Sequence, residues 1–460
     1  MKINLHIKLQ YNESNSRRNF IKNATAASLA VSVGGILPAF SAKSYGRIIG
    51  SNEKIMVSMM GVNSRGKALA ASFAQQKDCE VIHICDVDSR AIEKCKDAVS
   101  KHQDIQTKGF RDFRESLQDK NVDAMVIAAP DHWHAPAALL AVQAGKHVYL
   151  EKPSSHNPNE GEILVKAAAK YGKSIQLGNQ RRSFPNVQLG MKEMKDGIIG
   201  RPYFGKGWYA NNRESIGIGK EVAAPDWLDW NLWQGPAPRK EYKDNLVHYN
   251  WHWFWHWGTG EALNNGTHSI DLLRWGLGVD YPIKVSSNGG RYRFQDDWET
   301  PDTQVINLDF KEGVTISWEG RSCNGKSVDG SYAGVMFYGE KGSMSFPGGN
   351  DYVIYDLDGE VVKSVGVEKV MNTSNLVNPS ENLDFIHIIN FFKGIREGSN
   401  KLNSDIDSGN KSTLLVQLGN IAQRVGHSLE IDPKTGHILN DKEALKYWSR
   451  TYEKGWEMKL

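Results

Sequence analysis

Of 460 residues only four are cysteine: Cys79, Cys85, Cys95 and Cys323. They form no C-x-x-C pair and no dense framework, so disulfides do not hold this fold together, and buried free thiols are the simpler expectation. An excess of one charge is missing too. Lys and Arg number 56 against 53 Asp and Glu, a formal net of +3. Residues 1–42 carry Lys2, Lys8, Arg17, Arg18 and Lys22 against Glu13 alone, a net of +4, so the remainder stands at −1. A near-neutral body offers no electrostatic footprint for nucleic acid or an anionic membrane. No apolar run is long enough for a stable membrane span. Internal repeats and low-complexity tracts are likewise lacking.

Aromatic residues are plentiful: 14 Trp, 16 Tyr and 15 Phe. With 40% hydrophobic residues they exclude a mainly disordered chain and suit a large core in two or three domains.

The first forty-odd residues read as an address. Arg17-Arg18 precedes a mild apolar run from Ala24 to Leu37, then Pro38 and Ala39-Phe40-Ser41. This is the layout of a twin-arginine export signal, with small residues at cleavage spacing. Residues 1–41 are expected to be removed, giving a periplasmic or otherwise exported protein; an uncleaved anchor is the other reading.

From residue 50 onward the pattern alternates between strand and helix. Lys54–Met60 is a buried strand, followed by Gly61-Val62-Asn63-Ser64-Arg65-Gly66 and a helix over 67–76. This is a departed G-x-G-x-x-G turn, with Asn63 in place of the second glycine. Such a turn offers a helix N-terminus to a pyrophosphate. The next strand, Val81–Cys85, runs into Asp86, where an acid accepts hydrogen bonds from an adenosine ribose and repels a 2′-phosphate. NAD is therefore expected over NADP; a helix N-cap is the alternative role for Asp86. A third unit, Val122–Ala129, ends at Pro130 and His134. The strand in Gly145-Lys146-His147-Val148-Tyr149-Leu150 then delivers Glu151-Lys152-Pro153 to its carboxyl end, the edge where open α/β sheets bind ligands. One further helix (158–172) and strand (173–178) complete a parallel, doubly wound sheet.

These motifs, in this order and spacing, resemble the Gfo/Idh/MocA oxidoreductases, named for glucose–fructose oxidoreductase, inositol dehydrogenase and a rhizopine-catabolism protein. The resemblance implies an N-terminal Rossmann domain (50–178) and a C-terminal α/β domain (179–460) with a large, mostly antiparallel open sheet. It implies cofactor contacts from Gly61, Asn63, Ser64, Arg65, Gly66, Asp86, Pro130, His134, Glu151, Lys152 and Gln180. Lys152 is implied to touch cofactor and substrate. Arg181, next to Gln180, becomes a candidate for substrate.

In the second half, Arg201–Asn212 alternates like a strand. Residues 213–257 are rich in Trp, culminating in His248-Tyr249-Asn250-Trp251-His252-Trp253-Phe254-Trp255-His256-Trp257. Aromatic faces can stack on a sugar ring, so Trp208, Tyr249 and Trp257 are candidate substrate contacts, although most such rings serve packing. His248, His252 and His256 at helical spacing could suggest a metal, but no carboxylate or cysteine pattern supports one, and none is expected. Asn264 and His268 occupy a register where many family members have D-x-x-x-H with histidine as acid/base. Here Asn264 can orient substrate but carries no charge, which shifts hydroxyl activation toward Lys152 and His268. Short alternating runs over 283–363 suggest the antiparallel sheet, which the family presents as a surface between subunits.

The expected function is an exported NAD-dependent dehydrogenase of a sugar or glycoside, with oxidation at pyranose C3 as the specific case and a tightly held cofactor. Two other classes fit the same motifs: an NAD-dependent glycoside hydrolase working by oxidation, elimination and reduction, and a non-catalytic sugar-binding protein.

Overall fold

A computed structural model describes residues 53–366 and 381–460. The export signal expected over 1–41 lies outside the described residues.

Six strands form the first sheet: β1 (Ile55–Met60), β2 (Cys79–Cys85), β3 (Lys108–Phe110), β4 (Ala124–Ile127), β5 (His147–Leu150) and β6 (Ile175–Leu177). Their order is β3-β2-β1-β4-β5-β6, all parallel. The chain reverses direction of winding beside β1, and the crevice at that switch point is where such sheets take ligands. β4 is buried at every position and β1 at all but one, as strands covered by helices on both faces must be. The expected elements are present with shifted ends, and β3 with its short helix Phe113–Leu117 is an extra unit that three residues of strand could not announce.

The second sheet has nine strands: β7 (Pro202–Ala210), β8 (Lys284–Gly290), β9 (Thr303–Phe310), β10 (Val314–Arg321), β11 (Ala333–Gly339), β12 (Gly342–Phe346), β13 (Tyr352–Tyr355), β14 (Val361–Val365) and β15 (Leu429–Glu430). In the order β14-β13-β12-β11-β7-β10-β9-β8-β15, every pair is antiparallel except β7 with β10. β9 and β10 alternate strictly between buried and half-buried residues. One face packs on helices Thr267–Leu277 and Ile406–Val425 through residues such as Leu273, Ile306, Trp318 and Leu418.

The nucleotide sheet does not close its own core. Helix Glu381–Glu397 returns from the far end of the chain and packs Ile388, Phe391 and Phe392 against β1 and the helix Arg65–Ala74. Phe391 meets Phe73 and Tyr149 edge-on, with ring centroids at 6.5 and 5.8 Å. No helix among the described residues is long and apolar enough to cross a membrane.

Candidate active site

The first βα turn is built by sterics. Gly61 has φ +78°, and a Cβ there would lie 2.6 Å from the backbone of Ala129. A Cβ on Gly66 would fall 1.8 Å from the Gly61 carbonyl oxygen. Both glycines are thus required for β1 to turn tightly into the helix. No Ser64 side-chain hydrogen bond caps that helix, so its first amide donors remain available to a pyrophosphate.

Asp86 follows β2 directly. Its carboxylate accepts from the Val62 amide at 2.7 Å and the Asp88 amide at 2.9 Å. Burial pushes its carboxyl up, and those two amides pull it back. The N-cap of the following helix is Asp88, not Asp86. Arg90 is committed as a fork on Asp88, at 3.1 and 2.9 Å, and lies 3.4 Å over the Trp227 ring. Two of its guanidinium nitrogens are thus paired with Asp88, while the side chain stays half exposed. The narrow glycine turn, uncapped helix and acid at the end of β2 fit the pyrophosphate and adenosine ribose of a dinucleotide.

At the end of β5, Glu151 accepts from Arg65 at 3.0 Å and from Gln180 at 2.9 Å. Arg65 also makes a two-pronged bond to Asp384 at 2.8 and 2.9 Å. Burial opposes the Arg65 charge, but Glu151 and Asp384 outweigh it and keep the group protonated. The Lys152–Pro153 peptide is cis. His134 points both ring nitrogens at carbonyl oxygens, Pro153 at 2.6 Å and Ala129 at 2.8 Å, so it braces this corner.

The Lys152 ammonium donates to the backbone oxygen of Asn264 at 2.5 Å and to its side-chain oxygen at 3.1 Å. Burial lowers the Lys152 pKa below the usual lysine value, against the pull of Glu151, Asp131 and Glu261. Asn264 lies in a π-helical turn, Ala262–Gly266, that feeds the helix carrying His268. Burial, then the charges of Lys152 and Arg181, hold His268 well below the ordinary histidine value. It is a neutral imidazole, and its ring makes no hydrogen bond among the described residues.

Glu261, one turn before Asn264, is a carboxylate that sequence reasoning overlooked. It accepts from Arg213 at 2.8 Å, from Ser322 at 2.8 Å, from Asn264 at 3.2 Å and from Asn265. Burial raises its pKa, but Arg213 overcomes this and keeps it ionised. A carboxylate at position 264 would sit beside it; the neutral amide avoids that repulsion. His252 was also underrated. Its Nδ1 donates to the Tyr249 carbonyl at 2.6 Å and its ring stacks on Trp251 at 3.6 Å. Burial, then the Lys152 charge among others, lowers its pKa to about 3.

One cleft of about 830 Å³ collects these groups. Gly61, Asn63, Ser64, Arg65 and Asp86 line one end, with Pro130, His134, Glu151, Lys152 and Gln180 along it. Asn264, His268, Tyr249, Trp251 and His252 line it as well. Gly66 is buried beneath the turn instead. Three expected substrate residues do not line the cleft. Trp208 is 1% exposed and donates to the Ser331 carbonyl. Trp257 is buried against Trp230 and Trp233. Arg181 is buried beside the Phe346 carbonyl, its pKa lowered by burial to about 10. As the structure places them, all three are buried away from the cleft lining. The three histidines expected at helical spacing diverge: His248 reaches Asp88, His252 the Tyr249 carbonyl, and His256 the Pro238 carbonyl. No group of residues able to hold a metal occurs among the described residues.

A parallel nucleotide sheet with an acid after its second strand, joined to a mixed sheet whose packed π-turn and helix supply a lysine-facing amide and a histidine, fits an NAD-binding oxidoreductase. Residues 55–179 match the oxidoreductase family's NAD-binding Rossmann fold, and residues 221–430 match its C-terminal alpha/beta domain; the chain belongs to the Gfo/Idh/MocA family. Among curated proteins, it is 28% identical over 227 residues to a glycosyl hydrolase family 109 protein of Saccharopolyspora erythraea, covering 46% of this chain and 49% of that protein. A protein of the same description from Stenotrophomonas maltophilia is 33% identical over 190 residues, 40% of each chain. The chain thus spans at most about half the length of these curated relatives. Among solved structures, levoglucosan dehydrogenase in complex with NADH and levoglucosan superposes with TM-score 0.63 at 18% identity, over 82% of this chain and 99% of that one. The WlbA dehydrogenase of Bordetella pertussis, in complex with NADH and UDP-GlcNAcA, gives 0.61 at 21% identity, over 83% and 98%. These structures share the fold.

Proposed function

We propose that this protein oxidises a hydroxyl-bearing carbon of a sugar or glycoside, with pyranose C3 as the specific case, using a retained NAD. The observation that carries the reading is a single cleft. It joins the dinucleotide-fitting turn and Asp86 to the Lys152–Asn264–His268 set and to the aromatic edge of Tyr249 and Trp251. When bound, NAD supplies a hydride acceptor, which takes the carbon-bound hydrogen with its two electrons. His268, neutral and without a hydrogen bond among the described residues, accepts the hydroxyl proton. Lys152 has two of its three N–H donors on Asn264 and directs the third at the hydroxyl oxygen, stabilising the developing alkoxide. Tyr249 and Trp251 hold the apolar face of the ring, and placement supplies much of such a rate. Asp86, with Arg90 paired to Asp88, favours NAD over NADP.

The reading includes export through the twin-arginine signal at Arg17-Arg18, and self-association through the C-terminal sheet. Free NAD is scarce outside the cytoplasm, so the cofactor travels with the folded chain and a second substrate reoxidises it. Incubation of the purified chain with a panel of glycosides should change the absorbance of bound cofactor with at least one of them. No dinucleotide in a denatured extract would overturn retention, and no spectral response to any sugar would overturn the substrate class. Fractionation of an Arg17→Lys/Arg18→Lys chain tests export, and sedimentation tests self-association.

The glycosyl hydrolase descriptions of the curated relatives favour one second reading, in which oxidation prepares glycoside elimination before the hydride returns. Release of aglycone from a chromogenic glycoside, with no accumulated keto-sugar, would select it.

A further inference from the structure

The adenosine end of the cleft is not made by the Rossmann domain alone. The Trp-rich excursion between β7 and the Gly258 turn crosses it. Leu228 forms an antiparallel bridge to Asp88, just after β2. The Ser89 amide donates to the Trp227 carbonyl at 3.1 Å, and the Asp229 amide to the Val87 carbonyl at 3.0 Å. From the far limb of the same excursion, His248 meets the Asp88 carboxylate at 2.8 Å through Nε2. The His248 ring stacks on Trp227 at 5.7 Å, and the Arg90 guanidinium also lies over that indole at 3.4 Å. A second anchor lies at the start of the helix Asp131–Gln143. There the Trp233 carbonyl accepts from the Trp133 indole at 2.9 Å and faces His132 Nε2 at 3.0 Å. Gly235 permits this approach, since a Cβ there would strike the Trp133 ring at 1.9 Å.

The excursion is therefore pinned on both sides of the nucleotide edge. Between the pins, Leu232, Trp233 and His248 line the cleft together with Asp86, Val87 and Asp112. We infer that Leu232, Trp233 and His248, held in place by the strap 227–235, form the outer wall of an adenosine subsite, so that the adenine and its ribose lie at the end of β2 against this wall. Apolar surface from half-buried Leu232, backed by the packed Trp233 ring, suits a base, and Asp86 suits the ribose hydroxyls. A nucleotide held by Asp86 leaves only when the strap lifts. Lifting breaks two backbone hydrogen bonds and the His248–Asp88 contact together, so release is slow and gated. This inference rests on the NAD-binding domain and deepens the retention part of the proposed function. It needs no sugar, so its failure is distinguishable from failure of the substrate reading.

The test follows release of NAD from the full chain. His248→Ala and Trp227→Ala should each speed release by about tenfold or more while thermal unfolding stays cooperative. Unchanged release from folded variants overturns the inference. Hydrogen exchange of the wild-type chain, stripped of dinucleotide, gives a second reading that needs no variant. ADP should slow exchange across 225–235 by about tenfold, while nicotinamide mononucleotide leaves it unchanged. Equal exchange in this segment with and without ADP overturns the inference.

Discussion

Lys152 and Asn264 form a two-point contact across the cleft: one ammonium bonds both oxygens of one residue, at 2.5 and 3.1 Å. The contact ties the end of β5 to the π-turn ahead of His268. It orients the lysine without neutralising it, because an amide accepts hydrogen bonds and carries no charge.

Lys152→Met removes both this tie and the donor aimed at the substrate oxygen. Loss of one such group costs about 10²–10⁴ in rate. Lys152→Met should cut hydride transfer at least as severely as His268→Asn, read by single-turnover reduction of bound cofactor. A mild loss would mean that Lys152 mainly holds cofactor.

Asn264→Asp places a carboxylate next to Glu261, whose Oε1 now accepts from the Asn264 amide at 3.2 Å. Two buried carboxylates at that distance repel, and the Lys152 ammonium at 3.1 Å offsets part of this, so the variant should lose about 1 kcal/mol of stability. Glu261→Gln in the same chain removes the repulsion. The double variant should be more stable than the sum of the singles, a coupling that a denaturation cycle measures.

Arg65→Ala strips the partner from two buried carboxylates, Glu151 and Asp384. Breaking a buried pair from one side costs on the order of 3 kcal/mol. Chemical denaturation should show that loss, and the retained NAD content should fall with it, because Glu151, which also holds Gln180, loses its cationic anchor.

Several histidines are held neutral by burial. His387 and His147 are lowered to about 4, and His252 to about 3. In the unfolded chain such groups titrate near about 6.5. Between the two values the unfolded state binds more protons, so stability present above about pH 6.5 is lost as pH falls through the folded values. For fully buried His387, lowered to about 4, the loss is on the order of 3 kcal/mol once pH is below both values. Exposed His427 is raised by Asp441 and acts in the opposite sense, losing its contribution as pH rises. The denaturation midpoint should fall between about pH 7 and about pH 5, with net proton uptake on unfolding.

The parallel nucleotide sheet, its glycine turn, Asp86 and the Glu151-Lys152-Pro153 strand end were all legible in the sequence. Each is a local pattern: a strand period, a glycine that sterics demand, an acid at a strand's end. The neutral residue at 264 was legible too, but not the carboxylate its amide bonds. That carboxylate is Glu261, whose importance comes from Arg213, 48 residues earlier in the chain. Likewise Arg65 looked like part of a phosphate turn until Asp384, 319 residues away, took its guanidinium. Trp208, Trp257 and Arg181 could not be sorted by type alone, because the same ring or cation serves a core or a ligand depending on which side of the sheet it faces. The histidines at 248, 252 and 256 have α-helical spacing but only a short 3-10 turn, Asn250–Trp253, between them; they meet Asp88, the Tyr249 carbonyl and the Pro238 carbonyl separately. The amino-acid sequence by itself determined the class of fold and the lysine at its edge, since those follow from near-neighbour sterics and periodicity. Only the tertiary structure decided which distant charges meet in the cleft, because desolvation makes each buried charge depend on partners that chain order does not reveal.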